Sequence, residues 1–232
     1  MDTEEFRLRS NARTYRDSFA AQDPVRAYLS ASNRNRGLNN KQLLLKEYYD
    51  HIIELDLTYI RLKRFPIFLS SHNPAWEHQG VSRVSQFIYH VENYLAGVYI
   101  LDQRIMSFSR SFGRRIERQR CSRPDIRSFL TAARDLRNSV QPLVSLRGAH
   151  THSKMFEDKE ITDMEALDKA GDFVNTVREA RYFKSEAKSR LSIQRKKWKK
   201  DIKSDLKKFE LQLGCIYEIA DKLLWEAHRN IR

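Results

Sequence analysis

Apolar residues recur at intervals of three and four along most of this chain, which is the spacing that lines one face of an α-helix. The pattern is most regular near the C-terminus, where the apolar positions are Ile202, Leu206, Phe209, Leu213, Ile216, Ala220, Leu223 and Ala227. A seam of this kind is typical of helical bundles and coiled coils. We therefore predict a long helix here.

Four earlier segments carry the same pattern, and they predict helices over 45–62, 81–113 and 126–146 and from 161 onward. Pro66 ends the first helix, because proline cannot continue the hydrogen-bond ladder, and residues 66–80 are predicted to form a loop. Pro142 kinks the third helix and Gly148 ends it. With only 7 Gly and 5 Pro in 232 residues, the chain is predicted to be all-α, an antiparallel bundle of about five long helices.

The N-terminal part of the chain differs in composition from the rest. Residues 1–40 are rich in Arg, Ser and Asn and only weakly periodic, and the stretch SASNRNRGLNN (30–40) resembles a linker. We predict an N-terminal extension over 1–40 that is partly flexible, followed by one helical bundle over 41–232.

The charge balance points to a polyanionic partner. Lys and Arg outnumber Asp and Glu by 43 to 30, a formal net charge of +13, which favours nucleic acid or an anionic surface. One basic run has an indole within it, and its residues are Arg195, Lys196, Lys197, Trp198, Lys199 and Lys200. Lysines can neutralise phosphates and an indole can stack on a base. The alternative is a solvated face at the start of the C-terminal helix, with Trp198 docked on the bundle.

Several classes of protein are disfavoured. Two cysteines are too few for a disulfide framework, no apolar run approaches the length of a membrane span, and the start MDTEEFRLRS is not a secretory signal. We expect a cytoplasmic protein without membrane contact. Glycine-rich phosphate loops, zinc-type cysteine spacings and nucleophile elbows do not occur. His150 and His152 have no acidic or thiol partner nearby in sequence, so neither a metal nor a cofactor is expected.

An arginine followed after four to six residues by a histidine occurs twice, as Arg147/His152 and as Arg83/His90. The Arg83/His90 pair lies within a continuous helix pattern. Arg147 instead follows the apolar helix that Pro142 interrupts, in the segment LVSLRGAHTHSKMFED (143–158). This context selects the Arg147/His152 pair as the candidate site.

The phrase VQPLVSLRGAHTH resembles the R-x4-H motif region of the HEPN superfamily (higher eukaryotes and prokaryotes nucleotide-binding domains). The upstream segment HVENYLAGVYILDQRI (90–105) is similar to the HEPN helix that packs beside that motif. The resemblance covers about residues 81–165. Gly148 follows the arginine where family members usually have a polar residue, and Lys154 stands where some HEPN toxins have a modifiable tyrosine.

The resemblance implies a homodimer in which two motifs form a composite cleft that cuts single-stranded RNA without metal, in a toxin or antiviral role. His152 would transfer the proton of the ribose 2′-hydroxyl, and Arg147 would stabilise the charge on phosphorus. The auxiliary residues that the resemblance implies are His150, Glu92, Asn93 and Arg104. A cognate inhibitor or another defence protein is a further expected partner.

Two alternatives remain at this point. The chain could be a catalytically silent helical module that binds nucleic acid or a partner protein. It could also be a structural bundle in which Arg147 and His152 cap helix ends beside Glu157 and Asp158. Residues five apart on a straight helix point about 140° away from each other. Arg147 and His152 therefore converge only if the backbone breaks between them or if two chains share the site.

Overall fold

A computed structural model describes residues 39–152 and 159–231, and for 147–152 it describes the backbone alone. Its helices are α1 (Asn40–Leu62), α2 (Phe65–Phe68), α3 (Pro74–His78), α4 (Arg83–Arg118), α5 (Arg123–His152), α6 (Lys159–Phe173) and α7 (Val177–Asn230). No strand occurs within the described ranges. The predicted all-α fold of long helices is confirmed, while residues 1–38 of the predicted N-terminal extension lie outside the described part.

The long helices α1, α4, α5 and α7 each contribute to two compact units. The first unit, called unit 1, combines the described part of Met1–Glu54 with Met106–Arg134 and Gln212–Arg232. Its centre is a buried aromatic cluster in which the ring of Phe112 lies 5.3 Å from Tyr48 and from Phe108 and 5.5 Å from Phe129. These side chains join α1, α4 and α5 through burial of apolar surface.

The second unit, called unit 2, comprises Leu55–Ile105 and Asp135–Leu211. Helices α1 and α4 approach each other closely at Gly97, where an added Cβ would lie 2.8 Å from the Cδ2 atom of Leu62. Helices α4 and α5 are joined by an ion pair in which Arg137 Nε donates to Oδ1 of the buried Asp102 at 2.8 Å. Both contacts lie within unit 2 and position the helices that carry its surface.

Hydrogen bonds at the helix starts explain where two long helices begin. At α1, Gln42 N donates to Asn39 Oδ1 at 2.9 Å and Asn39 N donates to Gln42 Oε1 at 3.0 Å. At α7, Glu179 N donates to Thr176 Oγ1 at 3.2 Å, and the Thr176 hydroxyl donates to the Glu179 carboxylate at 2.7 Å. Both are reciprocal arrangements that satisfy amides left free in the first turn.

Three predicted boundaries are wrong. Helix α5 passes Gly148 and continues to His152 instead of ending near residue 146, because a glycine inside a helix costs only about 1 kcal/mol. Helix α7 begins at Val177, so the basic run lies in its interior and not at a helix start. The predicted loop over 66–80 contains α2 and α3, and Pro66 is at the start of α2, where its missing N–H costs nothing.

Candidate nucleic-acid interface

The predicted catalytic residues lie on the last turns of α5. Arg147, His150 and His152 are all helical in backbone conformation, and the helix continues through Gly148. The predicted break between arginine and histidine is therefore absent, and the helix places the Cα atoms of the two residues about 140° apart around its axis. Their side chains lie outside the described part.

The three predicted auxiliary residues of α4 occupy different environments. Glu92 is exposed. Asn93 Nδ2 donates to the Tyr89 carbonyl at 2.7 Å, within its own helix. Arg104 donates from Nη1 to the Thr58 hydroxyl of α1, so it joins two helices of unit 2. None of these hydrogen bonds joins α4 to α5, which carries the motif.

The basic run of α7 divides between the core and the surface. Trp198 is only 8% exposed, so its indole packs in the bundle, as the alternative reading of the sequence held. Lys197 Nζ lies 3.4 Å from Glu160 Oε2 in an exposed ion pair with α6. Lys199 is half-buried, while Lys196 and Lys200 are exposed. Of the lysines in the basic run, Lys196 and Lys200 are therefore the exposed ones without a carboxylate partner in the described part.

A row of exposed lysines continues along that face, and we call it the lysine stripe: Lys196, Lys200, Lys203 and Lys207. Spacings of four, three and four place these side chains on one side of α7 over about 16 Å. No carboxylate within 39–152 or 159–231 forms an ion pair with them. Four like charges in a row repel each other, and an extended polyanion would relieve that repulsion.

A cluster of partly exposed aromatic rings forms a second feature of unit 2, and we call it the aromatic platform: Phe68, Trp76, Tyr89 and His90. The His90 ring stacks on Phe68 with centroids 5.7 Å apart and on Trp76 at 6.2 Å, both nearly parallel. Tyr89 meets the Trp76 ring edge-on at 5.5 Å. Tyr89 is 50% exposed and Phe68 is 39% exposed, so the cluster presents ring surface to solvent.

A buried glutamine fixes the backbone that carries Trp76. Gln86 Nε2 donates to the carbonyls of Asn73 and Val81 at 3.3 Å, and Asn73 N donates to Gln86 Oε1 at 2.8 Å. Asn73 also caps α3 by accepting from Ala75 N at 3.0 Å. These bonds satisfy a buried amide side chain and hold α3 against α4, so the platform is built on a fixed scaffold.

The charged groups beside the platform are two arginines, one of which is neutralised. Arg83 is bound by the carboxylate of Glu77. The Arg195 Nε is buried and has no acceptor among the described residues, and burial, with the nearby Arg83 charge, lowers the Arg195 pKa. Burial and the positive charge of Arg195 also lower the pKa of His90, which favours the uncharged form of its ring.

The aromatic platform was not predicted from the sequence, although two of its features, Trp76 and the Arg83/His90 pair, are visible there. Trp76 lies in the segment that was predicted to be a loop, and Arg83/His90 is the arginine–histidine pair that was set aside. Residues seven apart share a face of a helix, which directs His90 towards the same side as Arg83. The rings of α2 and α3 meet His90 only through the tertiary fold, and no local pattern predicts that contact.

Within residues 39–152 and 159–231, no group of three His, Cys, Asp or Glu side chains is arranged to hold a metal ion. None of the helices in these ranges is long and apolar enough to cross a membrane.

Comparisons with known proteins yield no relative for this chain. No protein-family model matches it, and no curated protein or solved structure matches it either.

Proposed function

We propose that the protein is a metal-independent endoribonuclease of HEPN type that binds and cuts single-stranded RNA in the cytoplasm, in a toxin or antiviral role. The observation that carries the RNA-binding part is the lysine stripe, whose four exposed charges lack carboxylate partners within the described part. Lysines in such a row neutralise successive phosphates and release counterions. The proposed RNA cleavage rests on the sequence motif Arg147/His152.

The proposed chemistry needs only groups that this chain carries. His152 takes the proton of a ribose 2′-hydroxyl, and the 2′-oxygen attacks the adjacent phosphorus. The bond to the 5′-oxygen of the next nucleotide breaks, and that oxygen takes up a proton. The products are a 2′,3′-cyclic phosphate and a free 5′-hydroxyl. Arg147 stabilises the added negative charge of the phosphorane through paired hydrogen bonds.

The proposal includes a homodimer. Because α5 does not break at Gly148, the backbone positions of Arg147 and His152 lie on different sides of that helix. Two copies would complete the site by bringing the arginine of one chain near the histidine of the other. A cognate inhibitor that blocks this pairing would be a suitable means of control.

The test is a cleavage assay on mixed cellular RNA with excess EDTA. We expect the parent to cut, and Arg147→Ala and His152→Ala to cut at least about 100-fold more slowly, since one proton-transfer group typically contributes that much. His78→Ala, which removes an exposed histidine of unit 2, is the matched control and should cut normally. An inert parent, or motif variants that cut as fast as the parent with matching circular dichroism, would refute the nuclease.

The second candidate function is a catalytically silent module that binds RNA. The unbroken helix through Gly148 favours it, because the backbone positions of Arg147 and His152 then lie on different sides of α5 in a single chain. The oligomeric state, measured by sedimentation, distinguishes the two functions. The nuclease requires a dimer, whereas the silent module binds RNA equally well as a monomer.

A further inference from the structure

We propose that the aromatic platform is a nucleotide-binding subsite, in which a base of single-stranded RNA stacks on the exposed rings and its phosphate is bound by Arg195. This inference rests on the proposed function in one respect, since both take RNA as the ligand. It assigns a task to Tyr89, Trp76 and Arg195 that the lysine stripe and the Arg147/His152 motif do not perform.

The exposure of the rings is the first observation. In a protein interior, aromatic rings of this size are covered, because burying them contributes most of their stabilisation. Here Tyr89 is half exposed and Phe68 is 39% exposed, although both belong to a stacked cluster. Every nucleobase has a flat face that can extend such a stack, and each base contributes about 1–3 kcal/mol when it does so.

The unsatisfied arginine is the second observation. A buried guanidinium N–H without an acceptor is costly, and the Nε of Arg195 is in that state within the described part. Glu77, the nearby carboxylate, is already bound by Arg83. The Arg195 charge has no ion-pair partner among the described residues, and its planar fork of donors suits a phosphate that binds at the solvent-facing side of this half-buried side chain.

The fixed geometry is the third observation. The hydrogen bonds of Gln86 hold α3 on α4, so the Trp76 and His90 rings need not reorganise to accept a base. A preformed stack loses little conformational entropy on binding. Arg195 precedes Lys196 on α7, so the platform is next to the start of the lysine stripe and the two features can serve one strand.

The affinity test uses a fluorescein-labelled 12-nucleotide single-stranded RNA and an abasic strand of equal length. All variants carry His152→Ala, so that the RNA stays intact. We expect Tyr89→Ala to weaken RNA binding by about 5- to 100-fold, as the loss of one stacked base predicts. Binding of the abasic strand should not change, because that strand has phosphates but no base. Tyr89→Phe should retain the parental affinity, because it keeps the ring.

Two further variants probe the same subsite. Arg195→Gln should weaken binding of both strands, because it removes the phosphate contact, and Arg195→Lys should restore part of it. Tyr182→Ala is the matched control, since Tyr182 is a 65% exposed tyrosine of α7 elsewhere in unit 2. It should bind RNA like the parent.

Tryptophan fluorescence gives a readout that does not depend on affinity. RNA should quench the parent, Trp76→Phe should abolish that quenching, and Trp225→Phe should preserve it, because only Trp76 would be stacked on a base. Trp76→Phe keeps an aromatic ring, so the fold is retained.

The outcomes separate this inference from the proposed function. If Tyr89→Ala binds both strands like the parent while a variant of the lysine stripe binds RNA weakly, the platform is not a base-binding subsite and the proposed function stands. If neither variant weakens RNA binding, both proposals fail. Equal weakening of the RNA and abasic strands by Tyr89→Ala would also overturn the stacking role.

Discussion

Units 1 and 2 both combine aromatic rings with charged groups, but they do so in opposite ways. In unit 1, the Tyr48 hydroxyl donates to Asp221, and Asp221 is only 6% exposed. In unit 2, the Tyr89 ring is half exposed and the Arg195 Nε has no acceptor in the described part. The first arrangement pairs its polar groups within the chain, whereas the second leaves ring surface exposed and a donor without an acceptor.

The comparison shows that ring content alone does not mark a functional surface. Three rings of unit 1 are each at most 1% exposed and pack edge-to-face or stacked: Phe108, Phe112 and Phe129. Burying them stabilises the folded state and leaves no ring surface for a ligand. The platform rings stack as well and still present faces to solvent. We therefore expect changes in unit 1 to alter stability without altering RNA affinity, and changes on the surface of unit 2 to alter RNA affinity with little effect on stability.

The largest effect is expected from Phe112→Ala in unit 1. Removing a fully buried phenylalanine leaves a cavity and should lower the free energy of unfolding by about 3–5 kcal/mol, measured by urea denaturation. At temperatures where the variant remains folded, its RNA affinity should equal that of the parent. Tyr89→Ala is the counterpart in unit 2, and its unfolding free energy should change far less. A large loss of RNA affinity in folded Phe112→Ala would show that unit 1 also takes part in RNA binding.

The next effect is a pH dependence that arises in unit 1. Burial raises the pKa of Asp221 from 3.8 to about 6, although the hydrogen bond from Tyr48 opposes that rise. The folded state therefore holds a proton that the unfolded state has lost, and the free energy of unfolding should fall as the pH rises from 4 through 6. A shift of this size corresponds to a contribution on the order of 3 kcal/mol.

Asp221→Asn provides the measurement for that pH dependence. The asparagine cannot titrate, so the difference in unfolding free energy between parent and variant should change across pH 4–6 and level off above it. Subtracting the two curves removes the contribution of His228, whose pKa is lowered by burial. A difference that stays constant with pH would show that Asp221 does not titrate in this range.

The smallest effect concerns the salt dependence of RNA binding. Changing all four residues of the lysine stripe to glutamine should make the slope of log affinity against log salt shallower by about 3, since each neutralised phosphate of a single strand contributes about 0.7. The matched control changes four exposed arginines of unit 1 to glutamine: Arg114, Arg118, Arg127 and Arg134. That control should retain the parental slope, and an equal change in both variants would mean that binding follows net charge alone.

The sequence predicted the helices well because their signal is local. The seam from Ile202 to Ala227 lies on α7, and all eight of its apolar positions are buried. Helix ends were predicted less well, since Gly148 is tolerated inside α5 and the Thr176 cap of α7 lies well before the regular seam. Tertiary packing decides both boundaries, and it outweighs local preference.

The candidate site could be predicted only in part. The exposed lysines Lys196 and Lys200 follow from composition, because charged side chains avoid burial. The burial of Trp198 and the meeting of Phe68 with His90 depend on which helices pack together. The roles of Arg147 and His152 stay predictions, since their side chains lie outside the described part.

RNA is expected to contact the surface of unit 2, and site-resolved photocrosslinking detects such contacts residue by residue. The His152→Ala protein is crosslinked to a single-stranded RNA that contains 4-thiouridine, and the crosslinked peptides are identified by mass spectrometry. We expect crosslinks within 68–90 and 195–207, and their loss at Tyr89 when that residue is changed to alanine. Crosslinks confined to 40–54, 106–134 and 212–231 would refute RNA binding by unit 2.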